Sequence, residues 1–160
     1  MRALIQRVNC AQVFIDDDTD KTLAGIISGE PKRTIEKGVV VLLGVGHNDC
    51  EEDAYRLWRK ISSLRIFEDD AHKTNLSLAE VNAQALIVSQ FTLFADVSHG
   101  RRPSFARSAS QEQALSLYRF FCKQVIDTLP SAAFGEFGAD MRIALENDGP
   151  FTIWIDTDEL

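Results

Sequence analysis

The sequence has few cysteines, and their spacing excludes the usual roles of paired thiols. Cys10, Cys50 and Cys122 lie far apart along 160 residues and are odd in number. The absence of a Cys-x-x-Cys pair argues against both a disulfide framework and a zinc site. We therefore expect three small buried thiols, and neither a metal nor any other cofactor.

Long apolar runs are absent too. No stretch approaches the roughly 20 apolar residues that a membrane-spanning helix needs. Met1-Arg2-Ala3-Leu4 leads directly into strand-like sequence, without the apolar segment of a signal peptide. The sequence predicts a cytoplasmic protein that does not bind a membrane.

Positive charge is scarce, since 17 Lys and Arg face 24 Asp and Glu for a net charge of -7. Such a chain lacks the broad positive surface that DNA or a long RNA requires, so any contact with RNA must be local. One local patch exists between His99 and Arg107, where Arg101 and Arg102 are followed by Pro103. It is either an RNA contact or a solvated loop.

The composition is otherwise that of one globular domain. Hydrophobic residues make up 45% and charged residues 26%, and this length suits a single core. No repeat or linker divides residues 1–160. We expect one domain.

Periodicity along the chain predicts two helices and several strands. A helix near 50–63 begins with a possible capping box at Asp49 and Glu52, and a second begins at Ser110, with Gln113 three residues later, and ends before Pro130. Strand-like patterns occupy 2–8, 11–15, 39–45, 85–91, 141–145 and 151–155. Residues 16–36 are polar and predict a hairpin with an extended tip. The pattern favours an α+β domain with helices against a mixed sheet.

Side chains that commonly carry chemistry are poorly placed. Ser89 lacks the Gly-x-Ser-x-Gly turn that exposes a serine nucleophile. His47, His72 and His99 lie in polar segments and form no ligand pair, so surface positions are expected. Gly44-Val45-Gly46 lacks the third glycine of a dinucleotide fingerprint. The residues alone indicate neither a catalytic triad nor a nucleotide cofactor.

Two motifs carry a family resemblance. Ser89-Gln90-Phe91-Thr92-Leu93 and Asn147-Asp148-Gly149-Pro150-Phe151-Thr152 resemble the D-aminoacyl-tRNA deacylase family, also called D-tyrosyl-tRNA deacylase. Further segments agree with it in family order: 5–8, 41–45, 64–67, 75–77, 100–105 and 137–141. The resemblance therefore covers nearly the whole chain.

The resemblance implies a fold, a reaction and a partner. The fold would be a layered β/β/α, barrel-like domain with two helices packed outside. The reaction would be hydrolysis of the ester of D-aminoacyl-tRNA, and of glycyl-tRNA, by a homodimer with active sites at the subunit interface. Gly149 and Pro150 would form a cis peptide that enters the partner's pocket, binds the substrate ammonium group and excludes L-amino acids. Arg7 would bond to the backbone around this element, unless it is an exposed strand arginine.

Other site residues follow from the same resemblance. The pocket floor would be formed by Ser89, Gln90, Phe91 and Thr92, with backbone N–H groups near Phe91 and Thr92 facing the ester. The 2′-hydroxyl of the terminal adenosine is favoured as the reacting group over the Thr92 hydroxyl, because no activating base is evident. The adenine would be received by Phe137, Gly138, Ala139 and Met141, although Phe137 alone would be interpreted as core.

The sequence departs from the family at three places. Phe151 replaces a valine, Thr74 replaces a methionine, and residues 16–36 are longer than the family hairpin. Lys32 and Arg33 in this insertion either contact the tRNA stem or belong to a mere loop. These changes bear on substrate range rather than on the reaction.

Two other functions remain open on sequence. The missing nucleophile also suits a non-catalytic module that binds an RNA 3′ end or a nucleoside. A general small-ester hydrolase would use Ser89.

Overall fold

The computed structural model describes residues 1–15 and 32–160, so the predicted hairpin tip at 16–31 lies outside the described residues. The elements in chain order are β1 (Arg2–Ile15), β2 (Thr34–Ile35), β3 (Gly38–Gly44), α1 (Glu51–Ser62), β4 (Phe67–Glu68), β5 (Thr74–Leu76), β6 (Gln84–Ser89), a 3-10 turn (Phe91–Phe94), α2 (Gln111–Thr128), β7 (Ala133–Phe134), β8 (Met141–Asp156) and a second 3-10 turn (Thr157–Glu159).

The main sheet has both strand directions. Its order is β2-β1-β3-β6-β7, and β8 pairs with β1. β1 is antiparallel to β3 and β8, whereas β3, β6 and β7 run parallel. This mixed, barrel-like sheet with two helices against it confirms the α+β prediction.

The apolar run of β3 is buried on both faces. Val39, Val41 and Leu43 pack in the cluster that includes α1 and α2, while Val40 faces a second cluster on the other side of the sheet. Successive side chains of a strand point to opposite faces, which is why a strand covered on both sides is continuously apolar. This strand places its last residue, Gly44, at the edge where the site forms.

Both helices were predicted, but the start of α1 differs by one residue. The N-cap is Cys50, and its backbone N–H donates to the Asp53 carboxylate at 3.0 Å. Asp49 is not the cap, because its two oxygens accept from the Met1 amino group and from Gly46 N–H. The predicted Ser110 cap of α2 is confirmed, since its hydroxyl accepts from Gln113 N–H at 3.3 Å.

Two further expectations are corrected. The strand predicted at 85–91 ends at Ser89, because the chain turns into the 3-10 turn at Phe91. Only Cys122 is a buried thiol, and Cys10 and Cys50 are exposed. The helices that the structure describes include none long and apolar enough to cross a membrane.

Candidate functional site

A cavity of about 440 Å³ opens at the carboxyl ends of parallel strands β3 and β6. The ends of parallel strands meet at one edge of a sheet, where ligands of mixed α/β folds commonly bind. Three segments line it: the strand ends, the start of α2 with the residues before it, and the chain that enters β8. The lining residues are Leu43, Val45, Val88, Ser89, Gln90, Phe91, Ser108, Ala109, Gln111, Ala114, Tyr118, Phe137, Gly138, Ala139, Asp140, Met141 and Ile143.

The cavity brings two separately predicted segments together. Ser89, Gln90 and Phe91 form one wall, and Phe137 and the predicted residues after it, Gly138, Ala139 and Met141, form another. In the described part of the chain, the remaining candidates, Thr92, Arg7, Gly149 and Pro150, do not line it. Thr92 directly follows the wall residue Phe91, whereas Arg7, Gly149 and Pro150 lie at a second location.

The Phe91–Phe94 turn presents two free backbone donors beside the cavity. Gln90 N–H donates to Leu43 O at 2.7 Å, and Leu93 N–H donates to Gln90 O at 3.4 Å. The first N–H groups of a helical turn have no acceptor within it. Accordingly, the amides of Phe91 and Thr92 have no acceptor among the described residues. They are available to bind an oxygen.

The Thr92 hydroxyl is held by a neighbouring amide. Gln90 Nε2 donates to Thr92 Oγ1. An amide N–H cannot remove a proton, so this contact orients the hydroxyl without activating it. The three histidines are exposed, as predicted, and none contacts Thr92. Among residues 1–15 and 32–160, no group of His, Cys, Asp or Glu forms a candidate metal site.

Gly44 and Gly46 allow the turn to pack against the end of β3. A Cβ at Gly44 would lie 3.2 Å from Leu93 Cβ, and one at Gly46 would lie 2.8 Å from the Phe94 ring. The contact at Gly46 is too close for a side chain, and the one at Gly44 would require the turn to shift by a few tenths of an ångström. The two glycines of Gly44-Val45-Gly46 therefore provide space for the Phe91–Phe94 turn to pack closely. This packing accounts for the glycines without a bound nucleotide.

Arg2 fixes the other end of the turn. Its Nη1 donates to Leu93 O at 3.0 Å and its Nε donates to Asp156 Oδ2 at 2.8 Å. The guanidinium also lies 4.4 Å from the centre of the Phe94 ring. Sequence reasoning missed Arg2, because an arginine at the start of a strand carries no signal of its partners.

Tyr118 contacts the chain two residues before each of the two walls of the cavity. Its hydroxyl lies 3.2 Å from Ile87 O and 3.3 Å from Gly135 O, and its ring centre lies 5.7 Å from that of Phe137. Complete burial raises the pKa of Tyr118 well above its usual range, so the phenol stays neutral and donates. The apolar spacing of α2 accounts only for burial of this residue, and its hydroxyl is the signal in the sequence that a polar partner is needed.

The second location is a bulge in β8. Gln6 pairs with Thr152 and Val8 pairs with Asn147, so the segment 148–151 lies opposite Arg7 alone. Its Gly149–Pro150 peptide is cis, and both residues are exposed. A β-bulge of this kind projects backbone out of the ladder.

Arg7 is buried beneath this bulge, with 6% of its surface exposed. Its Nη1 donates to Ile66 O at 2.6 Å. Its Nε lies 2.9 Å from Asp148 Oδ2, an ion-pair distance, although the N–H is not directed along it. Within the described residues its hydrogen bond goes to Ile66 O and none goes to the Gly149–Pro150 backbone. The alternative of an exposed strand arginine is wrong, because the side chain is buried.

Phe151 takes part in the same arrangement. The Arg7 guanidinium lies 5.0 Å from the centre of the Phe151 ring, within the range of a cation–π contact. The Phe151 N–H donates to Asn147 Oδ1 at 2.8 Å, which closes the bulge. The departure from valine thus adds an aromatic face to the arginine.

Comparisons with known proteins agree with the motifs. A family model described as D-Tyr-tRNA(Tyr) deacylase matches residues 4–156. A D-aminoacyl-tRNA deacylase of Thermosipho melanesiensis is 48% identical over 158 residues, which cover 98% of this chain and 97% of that protein. A D-aminoacyl-tRNA deacylase of Clostridium kluyveri is 44% identical over 160 residues, which cover 100% and 99%.

Two solved structures share the fold. The c-Myc DNA Unwinding Element Binding Protein has a TM-score of 0.83 at 34% identity, and the match covers 98% of each chain. A probable eukaryotic D-amino acid tRNA deacylase has a TM-score of 0.79 and covers 96% of this chain and 97% of that one. At 18% identity, this second likeness concerns the fold alone.

Proposed function

The chain belongs to the D-Tyr-tRNA(Tyr) deacylase family and is a D-aminoacyl-tRNA deacylase, and we propose that it cleaves the ester in the cavity at the ends of β3 and β6. The observation that carries this placement is the meeting of the Ser89–Phe91 wall with the Phe137–Met141 wall around one cavity. The products are a free D-amino acid and tRNA.

The terminal adenosine of the tRNA occupies the wall that holds Phe137. An unpaired base binds best to a flat apolar face, and the half-buried Phe137 ring, with Gly138, Ala139 and Met141 beside it, offers one. The ester then lies toward Ser89 and Gln90. Placing the base fixes the ester relative to the Phe91–Phe94 turn.

Catalysis depends on position and on backbone donors. As water adds to the ester carbonyl, negative charge develops on its oxygen, and the free amides of Phe91 and Thr92 stabilise it. The 2′-hydroxyl of the same ribose is adjacent to the ester and assists the attack. Neither Ser89 nor Thr92 has a base beside it in the described part of the chain, which favours this substrate-assisted route over a side-chain nucleophile.

Discrimination between D- and L-amino acids requires a second subunit. Gly149 and Pro150 are exposed and do not line their own chain's cavity. In a homodimer they enter the partner's cavity, where backbone carbonyls bind the ammonium group and the L side chain collides with them. Glycine has no side chain to exclude, so glycyl-tRNA is a second substrate. Because aminoacyl-tRNA is made and used in the cytoplasm, we place the protein there.

Hydrolysis of matched substrates tests this function. Purified protein is mixed with D-Tyr-tRNA, L-Tyr-tRNA or Gly-tRNA, and release of the amino acid is followed. Rapid release from the D and glycyl substrates, with L-Tyr-tRNA left intact, supports the proposal. Binding of adenosine without release would instead favour a non-catalytic nucleoside-binding module. Loss of activity in Ser89→Ala, with turnover of simple esters by the wild type, would favour a serine hydrolase.

A further inference from the structure

A closed loop stands beside the cavity. Asp96 N–H donates to Ser104 O at 2.8 Å and Ser104 N–H donates to Asp96 O at 2.9 Å, so the chain between them returns on itself. The Asp96 carboxylate also accepts from the Ser98 amide at 2.9 Å and the Ser98 hydroxyl at 2.6 Å. We call residues 97–103 the arginine loop. Its base is held in place by backbone pairing.

The base of the arginine loop is continuous with the cavity rim. The Phe105 ring packs edge-on against Phe91, with 5.0 Å between ring centres. Ser108, which lines the cavity, donates its hydroxyl to Phe91 O at 3.2 Å. Over Phe91, the cavity rim therefore adjoins Phe105, the residue that follows Ser104 at the base of the loop.

Two guanidinium groups in the loop are unoccupied. Arg101 and Arg102 are exposed and have neither a hydrogen bond nor an ion pair within the part of the chain that the structure describes. Arg107 differs from these two arginines because its charge already acts on a carboxylate of the protein. Hydrogen bonds from Ser98 lower the pKa of the Asp96 carboxyl, and the charge of Arg107 lowers it further. Arg101 and Arg102 are thus the cations of this patch left for a partner.

The charge of the chain makes the position of these arginines informative. The net charge is -7, so the protein repels phosphate on average and needs a local cationic contact to hold RNA. Arginine presents a planar fork of donors that matches a phosphate group. The exposed rings of Phe91 and Phe105 beside the loop offer faces on which unpaired bases stack.

We propose that Arg101 and Arg102 bind the backbone phosphates of the tRNA nucleotides that immediately precede the terminal adenosine. This inference rests on the proposed function, because it assumes the adenosine lies in the cavity and the rest of the 3′ end leaves across Phe91. In this proposal the arginine loop binds the tRNA backbone and takes no part in recognition of the amino acid.

The test compares a substrate that has these phosphates with one that lacks them. The variant Arg101→Gln/Arg102→Gln and the wild type are assayed on D-Tyr-tRNA and on D-tyrosyl-adenosine. We expect the variant's KM for D-Tyr-tRNA to rise about tenfold or more, with kcat unchanged and D-tyrosyl-adenosine unaffected. The slope of log affinity for uncharged tRNA against log salt should fall by about 0.7 for each lost phosphate contact.

A matched control removes the same charge elsewhere. Lys60 and Lys73 are exposed and lie outside the cavity, so Lys60→Gln/Lys73→Gln should leave KM for D-Tyr-tRNA near the wild-type value. An unchanged KM in the arginine variant, an equal loss on D-tyrosyl-adenosine, or an equal loss in the control would each overturn the proposal.

Binding of uncharged tRNA separates this proposal from the proposed function. If the wild type hydrolysed neither substrate while the arginine variant alone lost tRNA affinity, hydrolysis would be refuted and the arginine loop supported. If hydrolysis were normal and tRNA affinity were the same in every variant, the loop proposal alone would fail.

Discussion

Arg7 and Asp148 form an ion pair across the bulge of β8, with 2.9 Å between Nε and Oδ2. The arginine side chain is 7% exposed and the aspartate side chain 35%. Arg7 thus carries a buried positive charge whose carboxylate partner belongs to the segment that presents Gly149 and Pro150. This contact links the first strand to the proposed chirality filter.

Asp148→Asn is expected to destabilise the protein and to slow D-Tyr-tRNA hydrolysis. The asparagine keeps the size of the side chain but leaves the buried Arg7 charge without its partner. Because Asp148 is partly exposed, solvent reduces the loss, and we expect about 1–2 kcal/mol in the free energy of unfolding. Urea denaturation measures it. Asp158→Asn, at an exposed position without an ion pair among the described residues, serves as the control and should change stability little.

Gly149→Ala should lower activity by more than the strain of a positive φ alone would cause. Gly149 has φ +124°, and an added Cβ would lie 3.1 Å from Phe151 N and 3.3 Å from Arg7 Nη2. We expect kcat/KM for D-tyrosyl-adenosine to fall roughly tenfold or more, because misplacement of a positioning element by about 1 Å can have that effect.

Gly100→Ala is the matched control for that substitution. Gly100 also has a positive φ, +69°, but a Cβ there meets nothing within 4 Å. It should show the roughly 1–2 kcal/mol cost of a left-handed alanine with normal hydrolysis of D-tyrosyl-adenosine. Equal activity in the two variants would contradict a role for the Gly149 segment in the site.

Arg2→Gln should lower kcat with a smaller change in KM. The substitution removes the bond to Leu93 O and the ion pair with Asp156, so the turn that carries the free amides loses its anchor. We expect kcat to fall roughly tenfold on D-tyrosyl-adenosine. Arg65→Gln removes an arginine that bonds to Asn75 away from the turn, and kcat should be normal. A rise in KM with kcat unchanged would show that Arg2 acts on substrate binding instead.

Tyr118→Phe should weaken both the fold and adenosine binding. It removes the hydroxyl that lies between Ile87 O, before the Ser89 wall, and Gly135 O, before the Phe137 wall. The free energy of unfolding should fall by about 1 kcal/mol, and KM for D-tyrosyl-adenosine should rise as the Phe137 wall loosens. Tyr55 is 42% exposed, so Tyr55→Phe should be neutral in both assays. An unchanged KM in Tyr118→Phe would show that the Tyr118 hydroxyl has no role in adenosine binding.

The regular elements of the fold were predictable because their signals are local. The apolar spacing in α1 and α2 and the Ser110 cap are properties of adjacent residues, and both helices form. The one-residue error at Cys50 arose because Asp49 is used by the distant Met1 amino group. Strand β7 has only two residues, too few to show a pattern, and its pairing depends on the rest of the sheet. The sequence therefore did not predict it.

The site was predictable only where motifs identified it. Ser89–Phe91 and Phe137–Met141 were assigned by resemblance, and the cavity brings them together. Arg2 was not predicted, because its contact with Leu93 spans 91 residues of sequence. The contact of Arg7 with Asp148 was not predicted for a related reason: the bulge turns the Asp148 carboxylate toward the arginine, and strand periodicity does not show a bulge.

A crystal structure with a non-hydrolysable D-tyrosyl-adenosine amide tests the central claim most directly. We predict adenine against Phe137, the substrate carbonyl oxygen within hydrogen-bond distance of the Phe91 and Thr92 amides, and the ammonium group against Gly149 and Pro150 of the partner subunit. A ligand bound outside this cavity, or one whose carbonyl faces away from the Phe91–Phe94 turn, would contradict the account.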